Sequence, residues 1–404
     1  VIAPGTAIRI NAPDVVLDLD GHTVTFGTES AGQVFGIHID APGRVTVRNG
    51  AVVQGNGGGD YSVGVESRWR AHPAEVYGLS ITVKNRNAYP MRFFGAAANV
   101  QVHHNHLASQ VTEIESRHYP GNDLLRVDAK DGSIVLRENL LTGGCHRAIT
   151  VSGQGAAVEV AHNDIRHEML YTNGYALMCH APGMRVHHNR VASVGRGVHL
   201  TAPDIQLYEN YLDLKGHMEL DDMPQKSRPF HQRRVELHGV KLEGDQVRRN
   251  RVFRNYVRIT QPLPDNRWNY VPGTPLNLAC YHPNAMNEIF DNVFIALTYY
   301  RTPRVGGYGD AGCWAAPLFF VEMTRGPADP GYYAARLRGN RFVSNDVFAA
   351  SREPVNMTIV AEQNTFVLAE DPPPTVGHQA FRGIGAALET LLRGGGNRFV
   401  GMQP

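Results

Sequence analysis

Apolar and polar residues alternate in one short pattern that the chain repeats along most of its length. Gly36-Ile37-His38-Ile39-Asp40, Pro90-Met91-Arg92-Phe93-Phe94, Leu124-Leu125-Arg126-Val127-Asp128 and Ala148-Ile149-Thr150-Val151-Ser152 carry it first. Ala176-Leu177-Met178-Cys179-His180, Gly197-Val198-His199-Leu200-Thr201, Gly239-Val240-Lys241-Leu242-Glu243 and Pro275-Leu276-Asn277-Leu278-Ala279 come next. The second and fourth positions are apolar in every copy, and the third and fifth are mostly polar or charged. Strict alternation predicts a strand with one face in a core and the other in solvent. A strand that returns every few dozen residues predicts a repeat architecture, in which each unit buries its apolar face against its neighbours.

A second motif runs between the first. Val100-Gln101-Val102-His103-His104-Asn105 returns in variants ending at Asn139, Asn163, Asn189 and Asn210, with spacings of 34, 24, 26 and 21 residues. Later copies end at Asn255, Asn292, Asn340, Asn364 and Asn397. The opening Val15-Val16-Leu17-Asp18-Leu19-Asp20-Gly21-His22-Thr23-Val24 predicts a strand, an Asp-Gly turn and a second strand. Near the end, residues 383–393 read as a short helix before Gly394-Gly395-Gly396 and a last strand.

Composition narrows the picture modestly. The chain has 404 residues, with 39 Lys+Arg against 38 Asp+Glu, so no basic footprint for nucleic acid exists. No apolar run approaches the ~18 residues of a membrane span. The first residues, Val1 to Gly5, already read as strand and turn, and no signal segment is visible there. The 42 glycines and 24 prolines suit a turn-rich all-β chain. Four cysteines lack metal-type spacing, and Cys179 falls on an inward column as a buried thiol.

The Leu-Asp-Gly-His-Thr-Val opening and the His-His-Asn-His rungs resemble the right-handed parallel β-helix repeat proteins, the pectate-lyase-like superfamily with its carbohydrate-binding and sugar-hydrolase repeats. The resemblance covers residues 13 to about 365. It implies an all-β, single-stranded right-handed parallel β-helix, with long loops on one face and a short C-terminal helix. One domain over residues 1–404 is expected, with about 367–404 as a terminal cap. One asparagine per coil would stack at a tight bend, where it tolerates left-handed backbone. The longest inserts, 106–123, 211–235, 256–274 and 293–316, come after the bend asparagine and should wall a groove. They carry Tyr119, Trp268, Tyr270, Tyr299, Tyr300, Tyr308 and Trp314, aromatics suited to stacking on sugar rings.

Stacking the pentapeptides gives the outward residues. The third position reads His38, Glu66, Arg92, Arg126, Thr150, Met178, His199, Lys241, Asn277 and Phe320. The fifth reads Asp40, Arg68, Phe94, Asp128, Ser152, His180, Thr201, Glu243, Ala279 and Glu322. Strands in a sheet lie ~4.8 Å apart, so Asp128 and Glu243, four rows apart, cannot form one catalytic pair. Two clusters remain. One has Arg92, Arg126, Asp128, His146 and Arg147; the other has His180, His199, Lys241 and Glu243. Cations mixed with carboxylates suit an extended anionic polymer such as a uronic-acid polysaccharide.

Removing the proton beside a uronate carboxylate requires the carboxylate's charge to be countered and a base to reach the carbon acid. Arg126 would clamp the carboxylate. Lys241 or His199 would take the proton, and His180 would assist or donate. Asp128 and Glu243 would orient the basic groups or hold a cation. Arg92, His146, Arg147, Asn277, Trp268 and Tyr270 would bind substrate. The family's lyases commonly use Arg or Lys as base, often with bound calcium, which Asp128 or Glu243 could ligate. No dense acidic group demands it, and no other cofactor is expected. Glu219-Leu220-Asp221-Asp222 lacks the neighbours of the family's polygalacturonases. The leading expectation is a lyase cleaving an acidic poly- or oligosaccharide by β-elimination. A glycoside hydrolase or transglycosidase, an epimerase, and a non-enzymatic carbohydrate-binding solenoid are the alternatives. A monomer in a secreted or periplasmic location is expected.

Overall fold

The repeated pentapeptides are strands, and they lie side by side in parallel. The computed structural model describes the chain except residues 69–72, 86, 95–98, 112–121, 170–173, 216–236, 262–272, 299–314, 322–330, 352–354, 356–357, 373, 375–378 and 403–404. Two compact units, Val1–Ala192 and Ser193–Pro404, make up the chain. Each is a coil of parallel strands, and the fold is a right-handed parallel β-helix.

In the first unit the ladder strands are Ile8–Ile10, Phe35–Ile39, Val63–Arg68, Tyr89–Phe94, Asp123–Ala129, Arg147–Gly153 and Leu177–His180. Each pairs in parallel with the next. The second positions Ile37, Val65, Met91, Leu125, Ile149 and Leu177 are in register, and none is more than 1% exposed. In the second unit Val198–Leu200, Leu237–Gly244, Gly273–Cys280, Leu318–Phe320, Val347–Ser351 and Gln379–Arg382 pair in the same way. There Val198, Val240, Leu276 and Leu318 are 0% exposed. Burying one such side chain contributes about 1.5–3 kcal/mol, so these columns carry much of the stability. Cys179 sits in the core as expected, and burial pushes its thiol up to about 12.

The first position of each pentapeptide has a role of its own. A Cβ on Gly36 would run into the Val52 side chain and the Gly64 carbonyl, and one on Gly239 into Val257 and the Pro275 carbonyl. The first position therefore points into the core next to the second. The chain bends there, so the residue just before it returns to the outward face. Phe35 accordingly stacks on His38, with ring centroids 4.6 Å apart.

The asparagines stack as expected, but the left-handed residue is the one before each. His104, Glu138, His162 and His188 in the first unit have φ between 54° and 57°. Glu209, Arg254, Asp291 and Gln363 in the second lie in the same range. The asparagine itself turns inward. Asn139 accepts at Oδ1 from the Asn105 backbone N–H (3.2 Å) and from Asn105 Nδ2 (3.0 Å). Its own Nδ2 donates to the Val102 carbonyl and to Asn163 Oδ1, both at 3.0 Å. The ladder runs Asn105, Asn139, Asn163, Asn189 in one unit, and Asn210, Asn255, Asn292, Asn340, Asn364, Asn397 in the other. Buried amides need every donor and acceptor satisfied, and a self-complementary stack achieves this with one residue type.

Two expectations change. The inserts do not begin at the asparagine, because His106–Ser109, Tyr211–Lys215, Tyr256–Gln261 and Val293–Thr298 are regular strands with buried Leu107, Leu212, Val257 and Phe294. The inserts proper begin after these strands, and nearly all of their residues lie outside the described part. The last ladder row also slips by one. Asn277 pairs with Phe319 and Leu278 with Phe320, so Phe319 faces outward and Phe320 is core. Leu318-Phe319-Phe320-Val321 is apolar throughout, so alternation gave no phase there. Phe319 packs with Ala316, Val347 and Ala350.

The C-terminal segment holds the α-helix Ala386–Arg393, with Leu388 and Leu392 buried. It also extends the coil, because Gln379–Arg382 pairs with Val347–Ser351, and Arg398–Val400 with Thr365–Leu368. Among the described residues no helix is long and apolar enough to cross a membrane.

Candidate functional site

The outward face of each ladder consists of three columns: the residue before the pentapeptide, the third position and the fifth. Much of it is buried. Glu66 and Asn277 are 0% exposed, Thr150 2%, Met178 5%, Arg92 7% and His199 9%. Most of the third-position column, drawn from sequence as open to solvent, is buried, while Arg126, Asp128, Glu243 and Phe94 keep part of their surface exposed.

In the first unit Arg92 is committed to Glu66. Its Nε donates to Glu66 Oε1 at 2.8 Å and its Nη2 donates to the same oxygen. The guanidinium carbon also lies 4.7 Å from the Tyr89 ring centre. Arg126 donates from Nε to Asp128 Oδ2 at 2.8 Å, and its Nη1 is 3.9 Å from Asp123 Oδ2. Ser152 Oγ donates to the other Asp128 oxygen. Arg147 is the register partner of Asp123. His146 is buried, and its backbone N–H is held by Asn122 Oδ1 at 3.1 Å. His180, half-buried, ends the Leu177–His180 strand of this unit.

Asp123 is the residue that sequence reading missed. It precedes the Leu124 pentapeptide, and the bend turns it onto the outward face beside Tyr89, Arg126 and Arg147. It is 1% exposed, and burial raises its carboxyl above the usual range against the pull of Arg147, Arg126 and Thr150. Burial likewise pushes the Tyr89 hydroxyl up to about 12. The signal lay in other rows: Gly36 and Gly239 at the first position mark a bend, which reverses the parity of the residue before it, and Asp123 holds the equivalent place before Leu124.

In the second unit Glu243 joins two partners. Its Oε2 lies 2.9 Å from His199 Nε2, and its Oε1 accepts from Lys241 Nζ at 2.8 Å. The His199 bond, reinforced by Lys241, lowers the Glu243 carboxyl to about 2. His199 moves down as well, because burial disfavours the imidazolium more than Glu243 favours it, with Lys241 and Arg196 adding repulsion. Burial thus favours the neutral form of an imidazole that sits beside the Lys241–Glu243 ion pair.

His238, also unseen in the sequence, occupies the column before the pentapeptide. Its Nδ1 lies 2.8 Å from Asn277 Nδ2 and 2.9 Å from Thr274 Oγ1. Asn277, fully buried, thus holds His238 instead of presenting itself to a sugar. Trp268, Tyr270 and the other insert aromatics lie outside the described residues, as do Glu219-Leu220-Asp221-Asp222 and Glu322.

Calcium does not fit either carboxylate. The ion takes six to eight oxygens. Asp128 is engaged by Arg126 and Ser152, and Glu243 by His199 and Lys241, so neither offers an oxygen-rich cage.

The arrangement provides a proton acceptor with a fixed cation in one unit, and a buried carboxyl with guanidinium groups in the other. The sequence matches no protein-family model, no curated protein and no solved structure.

Proposed function

We propose that the chain is a carbohydrate-active enzyme of the pectate-lyase-like type, cleaving an acidic polysaccharide by β-elimination. The observation that carries the reading is the His199–Glu243–Lys241 cluster: a buried imidazole favoured in its neutral form, 2.9 Å from a carboxylate that grips a lysine at 2.8 Å. His199 is the base. With Nε2–H toward Glu243, its Nδ1 takes the proton from the carbon beside the uronate carboxylate, the C–H electron pair becomes the new double bond, and the glycosidic oxygen leaves with its bonding pair and takes a proton from water. Lys241, an ammonium in an ion pair, serves as the cation that stabilises the negative charge developing on the uronate. This division favours His199 over Lys241 as proton acceptor. Glu243 orients both. In the first unit Arg126 holds a sugar carboxylate, with Asp128 and Ser152 fixing its angle. A secreted or periplasmic location goes with such a substrate.

A second reading is favoured by one observation. Arg126 touches both Asp123 and Asp128, so a carboxyl shifted toward its protonated form lies within reach of a second carboxylate. A proton donor paired with an ionised carboxylate is the equipment of a glycoside hydrolase. Incubation with pectate, alginate, glycosaminoglycans and neutral glucans separates the two. Ultraviolet absorbance from unsaturated products supports the lyase, reducing ends alone support the hydrolase, and affinity without product leaves a binding protein.

A further inference from the structure

We propose that His162, His187 and His188 form a binding site for a late first-row divalent cation, of the copper or zinc type, at the bend between two coils of the first unit. One ring nitrogen from each lies within 4.8 Å of those of the other two. His162 ends one coil's bend and His188 the next, and their rings stack with centroids 4.8 Å apart. The backbone fixes this placement, since the His162 N–H donates to the His187 carbonyl at 3.2 Å.

His187 Nδ1 and His188 Nδ1 are 2.9 Å apart. Imidazole nitrogens bond such cations at ~2.0–2.1 Å, so two of them sit ~2.9 Å apart at the right angle of a tetragonal copper site and ~3.4 Å apart in a tetrahedral zinc site. Glu159 favours one tautomer of His187. Its Oε1 lies 3.1 Å from His187 Nε2, and Arg185 Nη2 reaches the same carboxylate at 3.2 Å. With the Nε2 proton given to Glu159, the lone pair of His187 is on Nδ1, facing its neighbour. A carboxylate behind a ligating imidazole is how proteins orient metal-binding histidines. Three imidazole nitrogen donors select copper or zinc over calcium or magnesium, with copper bound more tightly.

The molecule contains its own control. Val102-His103-His104-Asn105 repeats Val186-His187-His188-Asn189, with the same 2.9 Å between Nδ1 atoms and Glu75 behind His103. The preceding coil there has Gly78 at the position that His162 occupies, so the third imidazole is missing, and Glu138 of the following coil lies 3.1 Å from His104 Nε2.

The test uses the untagged full chain titrated with copper(II) or zinc(II) salts alone, by calorimetry and, for copper, by electron paramagnetic resonance. One ion per chain is expected, with nitrogen hyperfine structure and a raised unfolding midpoint. His162→Ala and His188→Ala should each weaken it at least about tenfold, and Glu159→Gln by about 10–100-fold. His103→Ala should leave it unchanged. Midpoints measured without metal check that the variants fold, and His162→Gln supplies a milder substitution. Equal affinity in the His162 variants and the native chain, or loss in His103→Ala alone, would overturn the site, as would no stoichiometric binding.

Discussion

The two units build the same ladder and give their carboxyls opposite fates. Asp123 in the first is enclosed, its nearest cation contact is 3.9 Å away, and it is pushed toward the protonated form. Glu243 in the second keeps about a third of its side chain exposed, holds partners at 2.8 and 2.9 Å, and is drawn down to about 2. Distance and burial decide the difference, since a close hydrogen-bonded cation favours the anion and desolvation penalises it. The lesson is that the position of a carboxylate in a repeat does not fix its chemistry. The role proposed for each unit, a base at His199 in the second and a carboxylate-holding Arg126 in the first, rests on that unit's own geometry.

Four substitutions sharpen or break it. His199→Ala has the largest expected effect, a loss of turnover of about 10²–10⁴-fold, because the proton acceptor is gone. Lys241→Ala should cost about 10²–10³-fold in kcat through the lost cation. Steady-state kinetics on the polymer that yields unsaturated product measures both. Equal, small effects would remove the second unit from the chemistry.

Glu243→Gln acts through pH. The native base stays neutral below the ordinary histidine value of 6.5, so the acid limb of the rate profile should lie under that value. Glu243 raises the His199 value, so removing its charge moves the limb to still lower pH while turnover drops. The stability consequence has the same origin. Glu243, depressed from 4.5 to about 2, contributes stability that is complete above 4.5 and is lost as pH falls toward 2. Acid unfolding of the Glu243→Gln variant should be less steep in that window.

Asp123→Asn has the smallest expected effect on unsaturated product, because it replaces a carboxyl already shifted toward neutrality with an amide of like shape. If the first unit were a hydrolase centre, the same change would remove a proton donor and cost about 10²-fold or more.

Much of the fold was legible because its two periodicities are stated outright: alternation phases the strands, and one asparagine marks each bend. Where either signal faded, the reading slipped. The apolar run Leu318-Phe319-Phe320-Val321 contains no polar residue to set its phase. The left-handed residue was assigned to the asparagine because asparagine tolerates that backbone, yet the structure uses asparagine's two-sided amide and leaves the strained angle to His104, Glu138 or Arg254. Of the site, Arg126 beside Asp128 and Lys241 beside Glu243 came from spacing along one strand. Asp123, Tyr89 and His238 did not, because a bend at the first position breaks the alternation on which the ladder was drawn.

The most direct test of the central claim is a parallel assay of the native chain, His199→Ala and Asp123→Asn on pectate and alginate, tracking absorbance and reducing ends together. Unsaturated product is expected from the native chain and Asp123→Asn, with a loss of about 10²-fold or more in His199→Ala. Reducing ends without absorbance, abolished by Asp123→Asn and retained by His199→Ala, would contradict the claim.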